Sequence, residues 1–87
     1  MYPSPQQLRA ARALLDLTQP EAAKLCRTSL RSLVAAEKGE VTIAVLHKLM
    51  GGYVGNGISF TGTPDYREQG VTMLLREAPA IPPIPTS

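Results

Sequence analysis

One cysteine, one histidine and no tryptophan leave little room for several kinds of chemistry. Cys26 alone cannot close an intramolecular disulfide. With His47 as the only histidine, no Cys/His metal cluster can form, so neither metal nor cofactor is expected. A lone thiol fits a reducing, cytoplasmic setting. No apolar run approaches the ~18 residues of a membrane span. No basic region followed by a hydrophobic stretch opens the chain, so no secretory signal is expected. Three Tyr and one Phe are the only aromatics, and Tyr2, Tyr53 and Tyr66 form no stacking series. The core must therefore come from Leu, Val, Ile, Ala and Met. No Ser/His/Asp order, paired metal ligands or phosphate loop stands out. Gly51 to Gly57 is glycine-rich but follows a helical pattern, so the dinucleotide-loop context is missing. An enzyme is the poorest reading.

The 87 residues allow one domain and one small core. A net charge of +2 says little alone, but its distribution is uneven. Residues 1–39 hold six Lys/Arg against three Asp/Glu, a balance of +3; residues 40–87 hold three against four, or −1. The positive excess lies on the helical half, as expected of a surface that meets phosphate.

The stretch from Thr18 to Gly39 is the most informative. Thr18-Gln-Pro-Glu21 forms a capping box, with Pro20 near the helix start, where no intrahelical donor is lost. This predicts a helix over about 19–26 that buries Ala22, Ala23 and either Leu25 or Cys26. Arg27 and Thr28 make the turn. Ser29 caps a third helix from Leu30 to Lys38, closed by Gly39. Leu33 and Ala36 form its inward pair. Two helices this short and close pack as a crossed helix-turn-helix, a motif that presents its second helix to a DNA major groove.

Upstream, Ser4, Pro5 and Gln7 start a first helix carrying Leu8, Ala11, Leu14 and Leu15, with Asp16 and Leu17 as the connection. Downstream, Thr42 caps a fourth helix from Ile43 to Tyr53 or Val54, with Ile43, Leu46, Leu49 or Met50, and Tyr53 as its apolar stripe. Gly51 and Gly52 weaken it by about 1 kcal/mol each. After Gly55-Asn56-Gly57 the period changes to alternation. Ile58 to Thr61 and Val71 to Leu75 read as a β-hairpin around a long loop at 62–70. Residues 76–87 carry four prolines and read as a flexible tail, partly polyproline II in character.

Taken together, Gln7-Leu8-Arg9-Ala10-Ala11-Arg12, Leu17-Thr18-Gln19, Ala23, Ser29, Leu33 and Glu37-Lys38-Gly39 resemble the lambda-repressor/Cro-like helix-turn-helix family, also called the XRE family. The later stretch resembles a compact bacterial subgroup, in which a fourth helix runs into a Gly-x-x-Phe strand, here Gly57 to Phe60, and a second strand opens with Gly70-Val71. The resemblance spans roughly residues 6–75. It implies a mainly α fold: a four-helix Cro/C1-like domain over 4–55, a β-hairpin over 56–75 that dimerises, and the tail 76–87. It also implies that Gln19 sits over a DNA phosphate and braces the recognition helix. Ser29 to Ser32 would enter the groove with Ala35 one turn on, while Arg12 and Glu37 tie helix one to helix three. Three positions depart from the pattern. Arg27 stands where the family carries Gly at φ > 0, at a cost of ~1–2 kcal/mol, and predicts a locally different turn. Leu30 replaces a common polar base-reader, and Val34 and Ala35 are apolar where Arg or Gln is common.

The expected DNA-binding residues are thus Gln19, Arg27, Thr28, Ser29, Leu30, Arg31, Ser32, Ala35 and Lys38. Arg31 leads, because its fork can donate twice to guanine O6 and N7. Ser29 and Ser32 suit a phosphate or base edge, and Leu30 or Val34 a thymine methyl. Leu30 reads equally well as core. Arg27, Lys38 and the N-terminal amides of helices two and three are phosphate candidates. Arg9 reads as solvent-facing, His47 as a surface or partly buried histidine, and Cys26 as a small buried residue. With so few hydrogen-bonding side chains, part of any specificity falls to DNA shape. Ile58, Phe60, Val71, Met73 and Leu75 are the expected dimer interface.

The function this implies is a sequence-specific DNA-binding transcription regulator, acting as a homodimer on an inverted repeat. The family context suggests mobile elements, phages or toxin–antitoxin pairs. A competing reading is a protein-binding module, an antitoxin or antiactivator, supported by the modest charge and the apolar Leu30/Val34/Ala35 surface.

Overall fold

The computed structural model describes residues 3–63, 65 and 67–74. Four helices precede a two-stranded antiparallel hairpin: α1 (Pro5–Leu14), α2 (Gln19–Leu25), α3 (Leu30–Ala36), α4 (Ile43–Val54), β1 (Ile58–Gly62) and β2 (Gln69–Met73). Leu75 and the segment 76–87 lie outside the described residues, as do Tyr2 and Tyr66.

Each helix starts where a short hydroxyl side chain precedes it. Ser4, Thr18, Ser29 and Thr42 all adopt extended backbone and accept from the amide three residues on. At Ser4 and Thr18 the box is complete, because Gln7 and Glu21 accept the cap residue's own amide at 2.9 and 2.8 Å. These contacts satisfy donors that the first turn leaves without helical partners.

The helix ends follow one device used three times. After α1 the Leu17 amide donates to Arg12 O and the Asp16 amide to Ala13 O. After α2, Thr28 donates to Ala23 O and Arg27 to Lys24 O. After α3, Glu40 donates to Ala35 O and Gly39 to Ala36 O. Each is the paired bond of a Schellman motif, which needs a left-handed residue at its centre. Gly39 supplies it without cost at φ 94°; Asp16 and Arg27 supply it at 57° and 56°. The turn at Arg27 therefore keeps its left-handed geometry without glycine, contrary to the expected local difference. The two hydrogen bonds offset the strain. Regular α3 stops at Ala36, two residues short of the expected Lys38, because the Schellman turn begins there.

The core gathers Leu8 and Ala11 from α1, Ala22, Ala23 and Cys26 from α2 and its cap, Leu33 and Ala36 from α3, Leu46, Leu49 and Tyr53 from α4, and Ile58 from β1. Ile43 was expected on the α4 stripe but stands 64% exposed at the start of the helix, beyond the reach of the core. α4 survives its two glycines, and they differ. A Cβ on Gly51 would meet nothing within 4 Å, whereas one on Gly52 would lie 2.5 Å from Cys26 Sγ and 2.9 Å from Cys26 Cα. Gly52 is what lets α4 approach the end of α2.

The hairpin pairs Ile58 with Met73, Phe60 with Val71 and Gly62 with Gln69. Strand pairing runs further toward the loop than the alternation suggested. Thr63 donates its amide to Glu68 O at 3.0 Å, and its hydroxyl donates to Asp65 at 2.6 Å. Directly paired residues share a face, so Ile58, Phe60, Val71 and Met73 lie on one side. That side faces the helices. Ile58 is buried, and Phe60 and Val71 pack against the core. Phe60 meets Tyr53 edge-on with ring centroids 6.4 Å apart.

Candidate nucleic-acid interface

α3 has two unlike sides. The inner one is fixed by Leu33 and Ala36, both fully buried, and by Glu37 at its C-cap. The Glu37 carboxylate accepts from Arg12 Nε at 2.7 Å, from Arg12 Nη2 at 3.1 Å and from Gln19 Nε2 at 3.1 Å. The backbone carbonyl of Glu37 accepts from Arg9 Nη1. Arg12 also reaches Leu17 O at 3.2 Å. One buried carboxylate thus joins α1, α2 and α3. Its hydrogen bond holds the Arg12 guanidinium above its ordinary pKa, against the opposing effect of burial. Such a bidentate pair fixes orientation as well as distance. Arg9 is exposed, as expected, and its guanidinium still reaches this brace. Its position three residues before Arg12, on the same helix face, was the available signal.

The outer side presents Leu30 and Arg31 exposed, with Ser32, Val34 and Ala35 half-buried. Leu30 is 45% exposed, which removes the core reading of it. Lys24 on α2, Arg27 in the turn before α3 and Lys38 just after α3 are all exposed, as are the acids Glu21 and Glu40. From Ala22 to Ala36 the chain carries no acidic residue, and Glu37 just beyond is buried and paired. The surface is therefore cationic by exclusion of acids rather than by density of bases.

Several expected contact residues have structural work as well. Ser29 Oγ accepts the Ser32 amide at 3.0 Å and donates to Ser32 Oγ at 2.9 Å, so its hydroxyl proton is engaged. The Thr28 amide closes the Schellman turn, and the Ala35 carbonyl accepts the Lys38 and Glu40 amides. Gln19 braces Glu37 through its amide nitrogen. Arg31, in the first turn of α3, is the long donor of the outer face.

The expected dimer set is not brought together as a free surface. Ile58 is sealed within the protomer, and Phe60 and Val71 are partly covered, because the hairpin uses this face to close the core. Met73 at 36% and Leu74 at 72% remain exposed. Nothing in the residue pattern pointed to how the hairpin is fastened. Gln7, 2% exposed, donates to Thr61 O at 2.7 Å and Gly70 O at 3.1 Å, and Ser4 donates to Gln69 Oε1. Beside this junction an open groove of about 480 Å³ is lined by Gln6, Ala10, Ala13, Leu14, Gln69 and Val71, none of them charged.

His47 is exposed, Cys26 is buried, and no group of three or more His, Cys, Asp or Glu gathers among the described residues. Burial pushes the Cys26 thiol up to about 11 and raises the Tyr53 phenol well above its usual value. Among the described residues no helix is long and apolar enough to cross a membrane. No model of a known protein family matches the chain, and no curated protein does.

Proposed function

We propose that this protein is a sequence-specific DNA-binding transcription regulator of the lambda-repressor/Cro-like type, with α3 as its recognition helix. The observation that carries this reading is the outer face of α3. It is exposed, free of acids, centred on Arg31, and held at a fixed angle by the Glu37 brace to α1 and α2. A rigid helix is what major-groove docking requires, since base contacts tolerate little misplacement. Arg27 and Lys38 flank it as phosphate contacts, which position the helix without reading sequence. A seven-residue helix reads few bases. A homodimer on an inverted repeat, with half-sites ~34 Å apart, doubles that number. The dimer contact falls to the hairpin's outer strand edges with Met73 and Leu74, and no longer to Ile58.

The test is a gel-shift against DNA upstream of the protein's own gene. Expected is tight binding that weakens as salt rises and falls about ten-fold or more in Arg31→Ala. Failure to bind at low salt, together with a co-purifying protein, favours the antitoxin or antiactivator reading instead. The uncharged groove between α1 and β2 is the observation on that side.

A further inference from the structure

The outer face of α3 holds more apolar than polar reading surface, and this decides what kind of base edge it suits. Leu30 is 45% exposed although the core lies on the opposite side of its own helix, and Val34 follows one turn later on the same strip. Arg31 stands between them in sequence. The Ser29 hydroxyl is spent on Ser32, which leaves Ser32 as the only short hydroxyl donor on α3. Leu30 is one of six exposed large apolar side chains among the described residues, and the one that α3 carries. It has a natural counterpart in the major groove, where the thymine C5-methyl is the one apolar group on any base edge. The cations on and beside α3, Arg27, Arg31 and Lys38, with no acid from Ala22 to Ala36, suit a polyanion better than an apolar protein surface.

We infer that Leu30 and Val34 are specificity-determining residues that read a thymine methyl, beside a guanine read by Arg31. The inference rests on the DNA-binding reading above and deepens it. Each half-site then contains thymine next to guanine, and discrimination comes from apolar burial more than from hydrogen bonds.

The experiment selects binding sites from a random duplex pool with the full chain, then replaces thymine by uracil in the selected half-site. Uracil keeps every hydrogen-bonding group and deletes only the methyl. The wild type should bind the uracil duplex about four-fold more weakly, the worth of one buried methyl at ~0.8 kcal/mol. The Leu30→Ala/Val34→Ala variant should bind both duplexes equally, whereas Arg31→Ala should lose affinity for both and keep the four-fold difference. Leu30 is exposed and Val34 half-buried, and a thermal melt of the variant checks that the fold is intact. Salt-sensitive, Arg31-dependent binding with no uracil penalty, or with the same penalty in the double variant, overturns the methyl readout and leaves the regulator reading standing. A pool that yields no bound DNA at low salt overturns both.

Discussion

The α2–α3 pair and the β-hairpin sit on one core but are secured over very different distances along the chain. In the α2–α3 pair the caps and Schellman turns are made within six residues. The brace reaches Glu37 from Gln19, 18 positions away, and from Arg12, 25 away. The hairpin's face is pinned by Gln7, 54 and 63 positions from the carbonyls it binds. The first region combines its own caps and turns with one tie from α1; the second depends on Gln7, still farther away along the chain.

The largest expected effect breaks the brace. Glu37→Ala leaves the Arg12 guanidinium and the Gln19 amide without their shared acceptor, and should cost about 3 kcal/mol in urea denaturation. If the loss stays under 1 kcal/mol, the α2–α3 pair does not depend on its polar ties. Next, Gln7→Ala removes the donor to Thr61 O and Gly70 O and half of the Ser4 capping box. A loss of about 2 kcal/mol is expected, with faster hydrogen exchange in β1 and β2 than in α3. Equal acceleration in both regions would show that the hairpin and the helices open as one unit.

Gly51 and Gly52 sharpen the comparison, since α4 touches both regions. Gly52→Ala drives a methyl into Cys26 and should destabilise by about 1–2 kcal/mol. Gly51→Ala fills open space and should stabilise by up to ~1 kcal/mol through helix propensity. Thermal melts of the two variants should move in opposite directions. The smallest effect is alkaline. Burial raises the Cys26 thiol from 9.0 to about 11. Its contribution is complete below the unfolded value and is lost as pH rises through the folded one, so stability should decline from pH 9 upward, by about 1 kcal/mol to pH 10. A Cys26→Ala variant should lack that slope. A flat wild-type profile over the same window would mean the thiol ionises as readily folded as unfolded.

What could be read from the chain follows the same division. Ser4, Thr18, Ser29 and Thr42 announced four helices because a cap needs only its own first turn. Gly39 announced the end of α3 for the same reason. The Arg12–Glu37 tie came from the family resemblance rather than from spacing, and its geometry matches. The hairpin's existence was legible in the alternation of Ile58 and Phe60, but its orientation was not. Alternation says that one face is apolar, and gives no way to tell whether a partner copy or the protomer's own helices will cover it. Leu30 was open for a related reason. Two apolar rows run along α3, and the position of α2 and α4 selects the Leu33/Ala36 row for the core.

The sequence by itself determined where the helices begin and end, because caps, Schellman turns and their hydroxyl or left-handed residues act over one turn of chain. It also set the uneven charge that leaves the stretch from Ala22 to Ala36 without an acid. Only the tertiary structure decided which faces are spent and which are offered. Burial is settled by what packs opposite, and the residues opposite Ile58, Leu30 and Gln7 are distant in the chain. The hairpin's apolar face went inward, Gln7 became its anchor, and Leu30 was left beside Arg31 on the outside.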